Sequence, residues 1–248
     1  MASGQFGISQ HVTRREDARL LVGDGAYADD TGFKGQLYAA FLRAPIGHGL
    51  IRNIDTSEAA AAPGVVGVFT GQDLKDAGVG VIPNVTPFVN RDGSEMSRTL
   101  RPAVALDKIF HVGEIIAVVV AESTLLAQDA VDLIDLDVAP LPALVDVTQA
   151  QSPDAPQLHD HIPGNVCLDF QIGDEAKAMT AIDGAAHVVN LTLTTNRLVV
   201  ASMEPRSAAA NFDTSANDGA GCYELISGSQ GVNAMRNMLA DAIFQVPH

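Results

Sequence analysis

Positive charge is scarce in this 248-residue sequence: 15 Lys and Arg stand against 30 Asp and Glu, a formal net charge of −15. Nucleic-acid affinity comes largely from Lys and Arg neutralising phosphates, so no nucleic-acid partner is expected, and anionic membrane surfaces are disfavoured on the same ground. Cysteine is nearly as scarce. Cys167 and Cys222 stand far apart with no C-x-x-C spacing, which argues against a disulfide framework or a zinc knuckle and leaves too few thiolates for an iron–sulfur cluster in this chain. Both are expected to be reduced structural thiols. No apolar run approaches the roughly 18 residues of a membrane span, and the opening "MASGQFGISQHVTRRED" has no apolar signal core. The expected location is the cytoplasm, with no membrane span.

What the chain does have is apolar content: 47% hydrophobic residues and only 18% charged, the balance of a well-buried globular protein rather than a disordered one. Its length allows one large core or two modest ones. "TGFKGQLYAAFLRAPIGHGLIRNID" reads as two extended segments joined at Ala44-Pro45. In "DTSEAAAAPGVVGVF" a short helix capped by Thr56 or Ser57 stops at Pro63-Gly64, and a Val-rich strand follows. "GEIIAVVVAESTLLAQDAVDLIDLDVAPLPAL" repeats that β-α-β order. It has a strand over Ile115 to Ala121, a Ser123 cap, a helix with Leu126, Ala130, Val131 and Ile134 on one side, and a strand into "LPALVD". Two such units predict one mixed α/β domain up to about Val147. Residues 148–165, rich in Gln, Pro and Asp, read as a linker or long surface loop. Beyond them come a long extended stretch, "AAHVVNLTLTTNRLVVA", then "AAANFD", "GCYELIS" and a closing helix with Val232, Met235, Leu239 and Ile243 on one stripe.

Met203-Glu204-Pro205-Arg206 interrupts the apolar runs of "NRLVVASMEPRSAAANFD". Proline gives a ladder no N–H and marks an edge, a bulge or a strand break. The knot is therefore either a surface bend with a solvated ion pair or an interruption that turns polar groups toward a buried site. "LHDHIP" puts His159 and His161 on either side of Asp160, residue types that bind metals, but no further ligand is signalled nearby and a solvated loop is expected. His111 and Glu114 in "HVGE" have the types for proton transfer, yet a lead-in to the strand at Ile115 is the expectation. Gly23-Asp24-Gly25 lacks a preceding strand and the rest of a dinucleotide fingerprint. Met235 and Met238 are expected as helix core or flank. In "ISGSQG" a strand gives way to small residues and Gln230 stands where a helix begins. Its carboxamide can donate to a group docked at the helix N-terminus, and a plain helix start accounts for the same residues.

Taken in order, seven blocks carry a family resemblance. They are "RREDARLLVGDGAYADD", "LYAAFLRAPIGHGLIRNID", "PGVVGVFTGQDL", "VGEIIAVVVAES", "LPALVD", "NRLVVASMEPRSAAANFD" and "SGSQGVNAMRNMLA". Together they resemble the N-terminal part of the large, molybdopterin-binding subunit of the xanthine dehydrogenase and aldehyde oxidase family, nearest its carbon monoxide dehydrogenase-like branch. The resemblance implies an α+β fold: an α/β hammerhead domain over 17–147, a linker over 148–165, and the incomplete beginning of a molybdopterin-binding domain over 166–248. It implies oxidation of a small-molecule substrate with water-derived oxygen at a molybdopterin (molybdenum cofactor) centre, with iron–sulfur and FAD groups on partner domains or subunits. The remainder of the large subunit is a further implied partner.

On that resemblance Gly228, Ser229 and Gln230 fall at the cofactor, Gln230 donating without adding charge, while Glu204 and Arg206 brace the wall of the site. Two positions depart from the pattern: the family's Pro after "GE" is Ile115 here, and a frequent His of the "SQ" helix is Asn233. The family's later Gly-rich segment and its glutamate base match nothing in the sequence. No catalytic residue or metal ligand is therefore expected in this chain, which is expected to be inactive alone, as a fragment or one piece of a split subunit. A non-catalytic hammerhead module for subunit docking or assembly is the alternative. Purines, aldehydes, N-heterocycles and carbon monoxide all stay open as substrates, purines being the least favoured by the nearest branch.

Overall fold

The computed structural model describes residues 14–196, 198–202 and 204–247. The opening residues read for a signal core up to Thr13, together with Arg197 of the extended stretch and Met203 of the polar knot, lie outside the described residues. In chain order the elements are α1 (Asp17–Leu21), β1 (Tyr38–Arg43), β2 (Gly49–Asp55), α2 (Ser57–Ala60), β3 (Val65–Thr70), α3 (Gly71–Asp76) and β4 (Lys108–Ile109). There follow β5 (Ile115–Ala121), α4 (Thr124–Val131), β6 (Asp135–Pro140), α5 (Glu175–Asp183), β7 (Ala208–Asp213), β8 (Cys222–Ser227) and α6 (Val232–Met238), which runs on as a π-helical turn over Leu239–Phe244. Contacts divide the chain into two compact units, one of residues 37–195 with the segment from Gly231 onward, the other of residues up to Gln36 with 196–230.

The larger unit holds two three-stranded sheets, ordered β1-β5-β3 and β4-β2-β6, and every pairing in them is antiparallel. The two segments flanking Ala44-Pro45 are β1 and β2, as the apolar runs predict. The short helix α2 is followed by Gly64 at φ +75°, a left-handed conformation that favours glycine, and the chain re-enters as β3. The strand–helix–strand order therefore occurs twice, but neither instance is a crossover within one sheet. β2 and β3 lie in different sheets, as do β5 and β6, which corrects the mixed α/β reading to the α+β class that the resemblance implied. For β2 and β3 the reason is length: residues 56–64 between them fall short of the roughly dozen that a parallel crossover needs.

Strand β5 organises the core. Its run Ile115 to Ala121 sits between β1 and β3, with Ile116, Ala117, Val119 and Ala121 buried. Ala117 and Val119 pack with Ala59, Ala130 and Ile134, while Ile116 packs with Ala44, Ala105 and Ile109. Leu42 and Ile54 touch both groups, so the two clusters form one apolar interior. The predicted cap on α4 is present, Ser123 Oγ accepting from Leu126 N at 3.3 Å. Thr56 makes no such bond; Asp55 instead accepts from Ser57 N at 2.9 Å. β6 ends at Pro140, so "LPALVD" is not a strand, in keeping with prolines at 140 and 142 that offer no N–H.

Residues 148–165 make a folded loop around Ile162, which is 1% exposed. Gln157 Nε2 donates to the carbonyls of His159 and Ile162, and Asn165 Nδ2 donates to those of Ala150 and Pro156. Helix α5 went unread in the sequence although its signals are there: Asp174 accepts from Lys177 N at 3.0 Å, and Gly184 closes the other end. The long extended stretch "AAHVVNLTLTTNRLVVA" is in no strand among its described residues, and Val189 and Val199 are 90% and 97% exposed. Apolar alternation supplies a strand's faces, but only a neighbouring chain satisfies its N–H and C=O groups, and no described residue takes that place.

In the smaller unit β7 and β8 form a two-stranded antiparallel ribbon, Phe212 and Tyr223 stacking across it at 4.5 Å. Cys222 is exposed on β8 and Cys167 half-buried in the larger unit; both are free thiols. The predicted stripe on the closing helix is core only toward its end. Val232 is exposed, Met235, Met238 and Leu239 are half-buried, and Ile243 is buried, its carbonyl accepting from Gly80 N at 2.8 Å. No described helix is long and apolar enough to cross a membrane.

Candidate functional site

Among its described residues, the polar knot precedes β7 as an irregular segment. Glu204 is half-buried, and its Oε1 accepts from Ala28 N at 3.2 Å, a contact across 176 positions of sequence. Ser202 Oγ donates to the Glu204 carbonyl. Arg206 is exposed and forms no ion pair with Glu204 among the described residues. Of the two acid and base side chains in the knot, then, the carboxylate ties the start of β7 to the turn at Ala28–Asp30, and the guanidinium does not.

Gly228, Ser229 and Gln230 follow β8, all three exposed, and α6 begins two residues beyond Gln230 with Gly231 as its N-cap. A Cβ built on Gly228 meets no atom within 4 Å, and its φ is not in the positive range. Neither backbone conformation nor a neighbour within the chain requires glycine there. The turn carries a neutral carboxamide, a hydroxyl and main-chain N–H groups, donor types that suit an acceptor-rich group and add no charge of their own.

The histidine cluster gathers no third metal-ligating side chain: no group of three or more occurs among the described residues. Nor is it a plain solvated loop. His159 stacks on Phe110 with ring centroids 4.3 Å apart, His161 Nε2 lies 3.0 Å from the Arg98 carbonyl, and Asp160 pairs with Lys108 at 3.4 Å. These contacts fasten the 148–165 loop to the segment entering β5. Phe110, on the other side of the stack, was the residue that sequence reasoning missed. In "HVGE" the carboxylate of Glu114 accepts from Phe110 N at 2.7 Å and stands 3.8 Å from His111 Nδ1, closing the turn before β5 as a lead-in would. Gly23-Asp24-Gly25 ends α1, with Gly23 N bonded to the Leu20 carbonyl and Gly23 at φ +82°.

Burial depresses the basicity of His159, and the neighbouring His161, Lys108 and His48 depress it further, against a smaller opposing pull from Asp160. Its folded pKa therefore lies below the unfolded value of about 6.5. As pH falls through that value the unfolded chain takes up the proton first, so stability is fully present above it and declines toward the lower folded pKa, then levels. Urea midpoints should accordingly drop between neutral and mildly acid pH. The His159→Phe variant, which keeps a ring on Phe110 and cannot protonate, should lose this part of the slope. An unchanged slope would remove His159 as its source.

Two antiparallel sheets sharing one apolar interior, followed by a ribbon that leads into a Gly-Ser-Gln turn and a helix, define a known two-domain arrangement. Residues 22–142 match the family model for the aldehyde oxidase and xanthine dehydrogenase a/b hammerhead domain, and residues 158–248 match that for the molybdopterin cofactor-binding domain. The chain belongs to the xanthine dehydrogenase and aldehyde oxidase family. It is 36% identical over 208 residues to the nicotine 6-hydroxylase large subunit of Paenarthrobacter nicotinovorans, a match covering 83% of this chain and 24% of that protein. To the carbon monoxide dehydrogenase large chain of Afipia carboxidovorans it is 31% identical over 219 residues, covering 84% and 26%. Among solved structures, quinoline 2-oxidoreductase from Pseudomonas putida 86 superimposes with a TM-score of 0.80 at 31% identity, over 95% of this chain and 28% of that one. The chain thus spans about a quarter of the length of the curated relatives it matches.

Proposed function

We propose that this chain is the N-terminal portion of the molybdopterin-binding large subunit of a hydroxylase that oxidises a small substrate with oxygen derived from water. The observation that carries this reading is the order of the two domain matches, hammerhead over 22–142 and molybdopterin-binding over 158–248. A docking or assembly module would leave the second match without a purpose. When bound, the molybdenum cofactor supplies the two-electron oxidising chemistry and this chain supplies contacts to it. Gln230 donates a neutral hydrogen bond, Ser229 adds a hydroxyl, and Gly228, whose missing Cβ is demanded by nothing within the chain, leaves room for a group approaching from outside. Glu204 braces the start of β7 through Ala28, and the exposed Arg206 is assigned to the same wall.

The proposed division into family domains places the hammerhead at 17–147, the connection at 148–165 and the molybdopterin-binding portion from 166 on. It differs from the division into compact units, in which the segment through Thr195 groups with the larger unit; Cys167 and Asp169 there bond to Ser97 and Asn90. The partners proposed are the rest of the large subunit and subunits carrying iron–sulfur and FAD groups, in a cytoplasmic assembly. Relatives named as a large subunit, a large chain and a complex subunit gamma support that assembly. For substrate we favour an N-heterocycle, on the strength of the nicotine hydroxylase and quinoline oxidoreductase relatives. The test is to isolate the native complex through a tag on this chain, measure its molybdenum, and assay a panel of N-heterocycles, aldehydes, purines and carbon monoxide in 18O-labelled water. Equimolar molybdenum with labelled product is the expected result. A stable complex free of molybdenum would overturn the reading in favour of the docking module.

A further inference from the structure

A solvent-open cavity of about 380 Å³ in the larger unit has an unusual lining for so acidic a chain. Arg43 and Arg101 line it together with Phe110, His111, Glu114 and His159. Its size falls in the range of small-ligand pockets, roughly 300–1,000 Å³. The remaining wall is mostly apolar, with Ile82, Leu100, Pro102, Ala103 and Ile115. Every one of these residues belongs to the same compact unit.

The electrostatics reverse the sign of the molecule locally. Across the sequence acids outnumber Lys and Arg by 30 to 15, yet two arginines and one glutamate line this cavity. That carboxylate is already engaged, Glu114 Oε2 accepting from Phe110 N at 2.7 Å and standing 3.8 Å from His111. Arg43 Nη1 donates to the Gly113 carbonyl at 3.0 Å and the guanidinium carbon lies 5.5 Å from the centre of the Phe41 ring, two contacts that fix its position. Arg101 forms no ion pair among the described residues, while the backbone beside it is held by Ile82 N donating to its carbonyl at 2.8 Å. A planar, permanently charged fork beside an apolar and aromatic wall is the chemistry that recognises a carboxylate bidentately and holds the hydrocarbon attached to it.

We propose that this cavity binds a small organic monocarboxylate with a flat apolar body, its carboxylate on Arg101 and Arg43 and its body against Phe110 and the neighbouring aliphatic side chains. All of the lining except His159 falls on the hammerhead match. The probe is benzoate, titrated into the full chain and followed by backbone amide shifts of Ala103, Phe110 and Glu114. Saturable shifts at these amides are expected, with benzamide and benzylamine at least about tenfold weaker because neither carries the anion. Arg101→Met, which keeps the stem and removes the charge, should weaken benzoate about tenfold or more, whereas Arg52→Met on β2 should leave it unchanged. Equal binding of benzamide, retention of affinity in the Arg101 variant, or absence of saturation at millimolar benzoate would each overturn the proposal.

Discussion

Replacing Ile116 by alanine is expected to lower the unfolding free energy of the chain by about 2–5 kcal/mol, the usual cost of emptying a buried Ile or Leu site. That is a large share of the roughly 5–15 kcal/mol available to a domain. Ile116 is 0% exposed on the strand that both β1 and β3 bond to. It packs with Ala44, Ala105 and Ile109, and Leu136 and Val138 of the other sheet pack against that same cluster. Two of those neighbours are alanines, whose short side chains cannot close over the space that Ile116 would vacate. Ile116 stands in the bulge between the Leu42–Ala117 and Arg43–Ile115 pairs, and the paired residues on either side of it limit how far the backbone can close the space. Val66→Ala, at an exposed position of β3, is the control and should stay within about 0.5 kcal/mol. With no Trp in the chain, far-ultraviolet circular dichroism in urea is the readout. A loss below about 1 kcal/mol for Ile116→Ala would contradict its place at the meeting of the two sheets.

The same strand shows what the sequence discloses and what it withholds. "IIAVVVA" is apolar at every position and bounded by Glu114 and Glu122, so a doubly covered strand was legible, as was the Ser123 cap that starts α4. The destination of the next strand was not. A strand, a short helix and a second strand have one local pattern whether the second strand returns to the same sheet or joins another, because pairing is decided by contacts far apart in sequence. The helix at Glu175–Asp183 was legible from Asp174 and Gly184 and from Ala178, Met179 and Ile182 at helical spacing, although none of its residues is buried. At "AAHVVNLTLTTN" the extended reading does not extend to a ladder, because a ladder also needs a partner, and among the described residues this stretch is in no strand.

At the candidate site the residue types were legible and their contacts were not. Glu204 could be singled out because a proline and an arginine follow it within two positions, but nothing in the order of residues announces Ala28 as its partner. His159 drew attention as a metal ligand, whereas its neighbour in space is Phe110, 49 positions away by number and joined to it by ring stacking alone. The Gly-Ser-Gln turn was read from the chain itself because a strand end, small residues and a helix start are all local signals.

In the complete, molybdenum-loaded enzyme, Gln230→Glu is expected to reduce turnover per bound molybdenum by roughly a hundredfold to a thousandfold, the loss that follows removal of one preorganised donor, about 2.7–4 kcal/mol. The substitution keeps the length of the side chain and exchanges a neutral donor for an anion that only accepts. Beside an acceptor-rich cofactor that exchange turns attraction into repulsion, more so where water is excluded. The side chain is exposed in this chain, so the same substitution should leave folding of the chain almost untouched. This separates loss of chemistry from loss of structure. Glu204→Gln is the comparison, since an amide oxygen can still accept from Ala28 N and the brace survives. Its turnover should stay within a few-fold of wild type. Wild-type turnover in the Gln230→Glu enzyme at equal molybdenum content would return Gln230 to the role of an ordinary residue before a helix, and equal losses in both variants would place the effect in the wall of the site rather than in the donor.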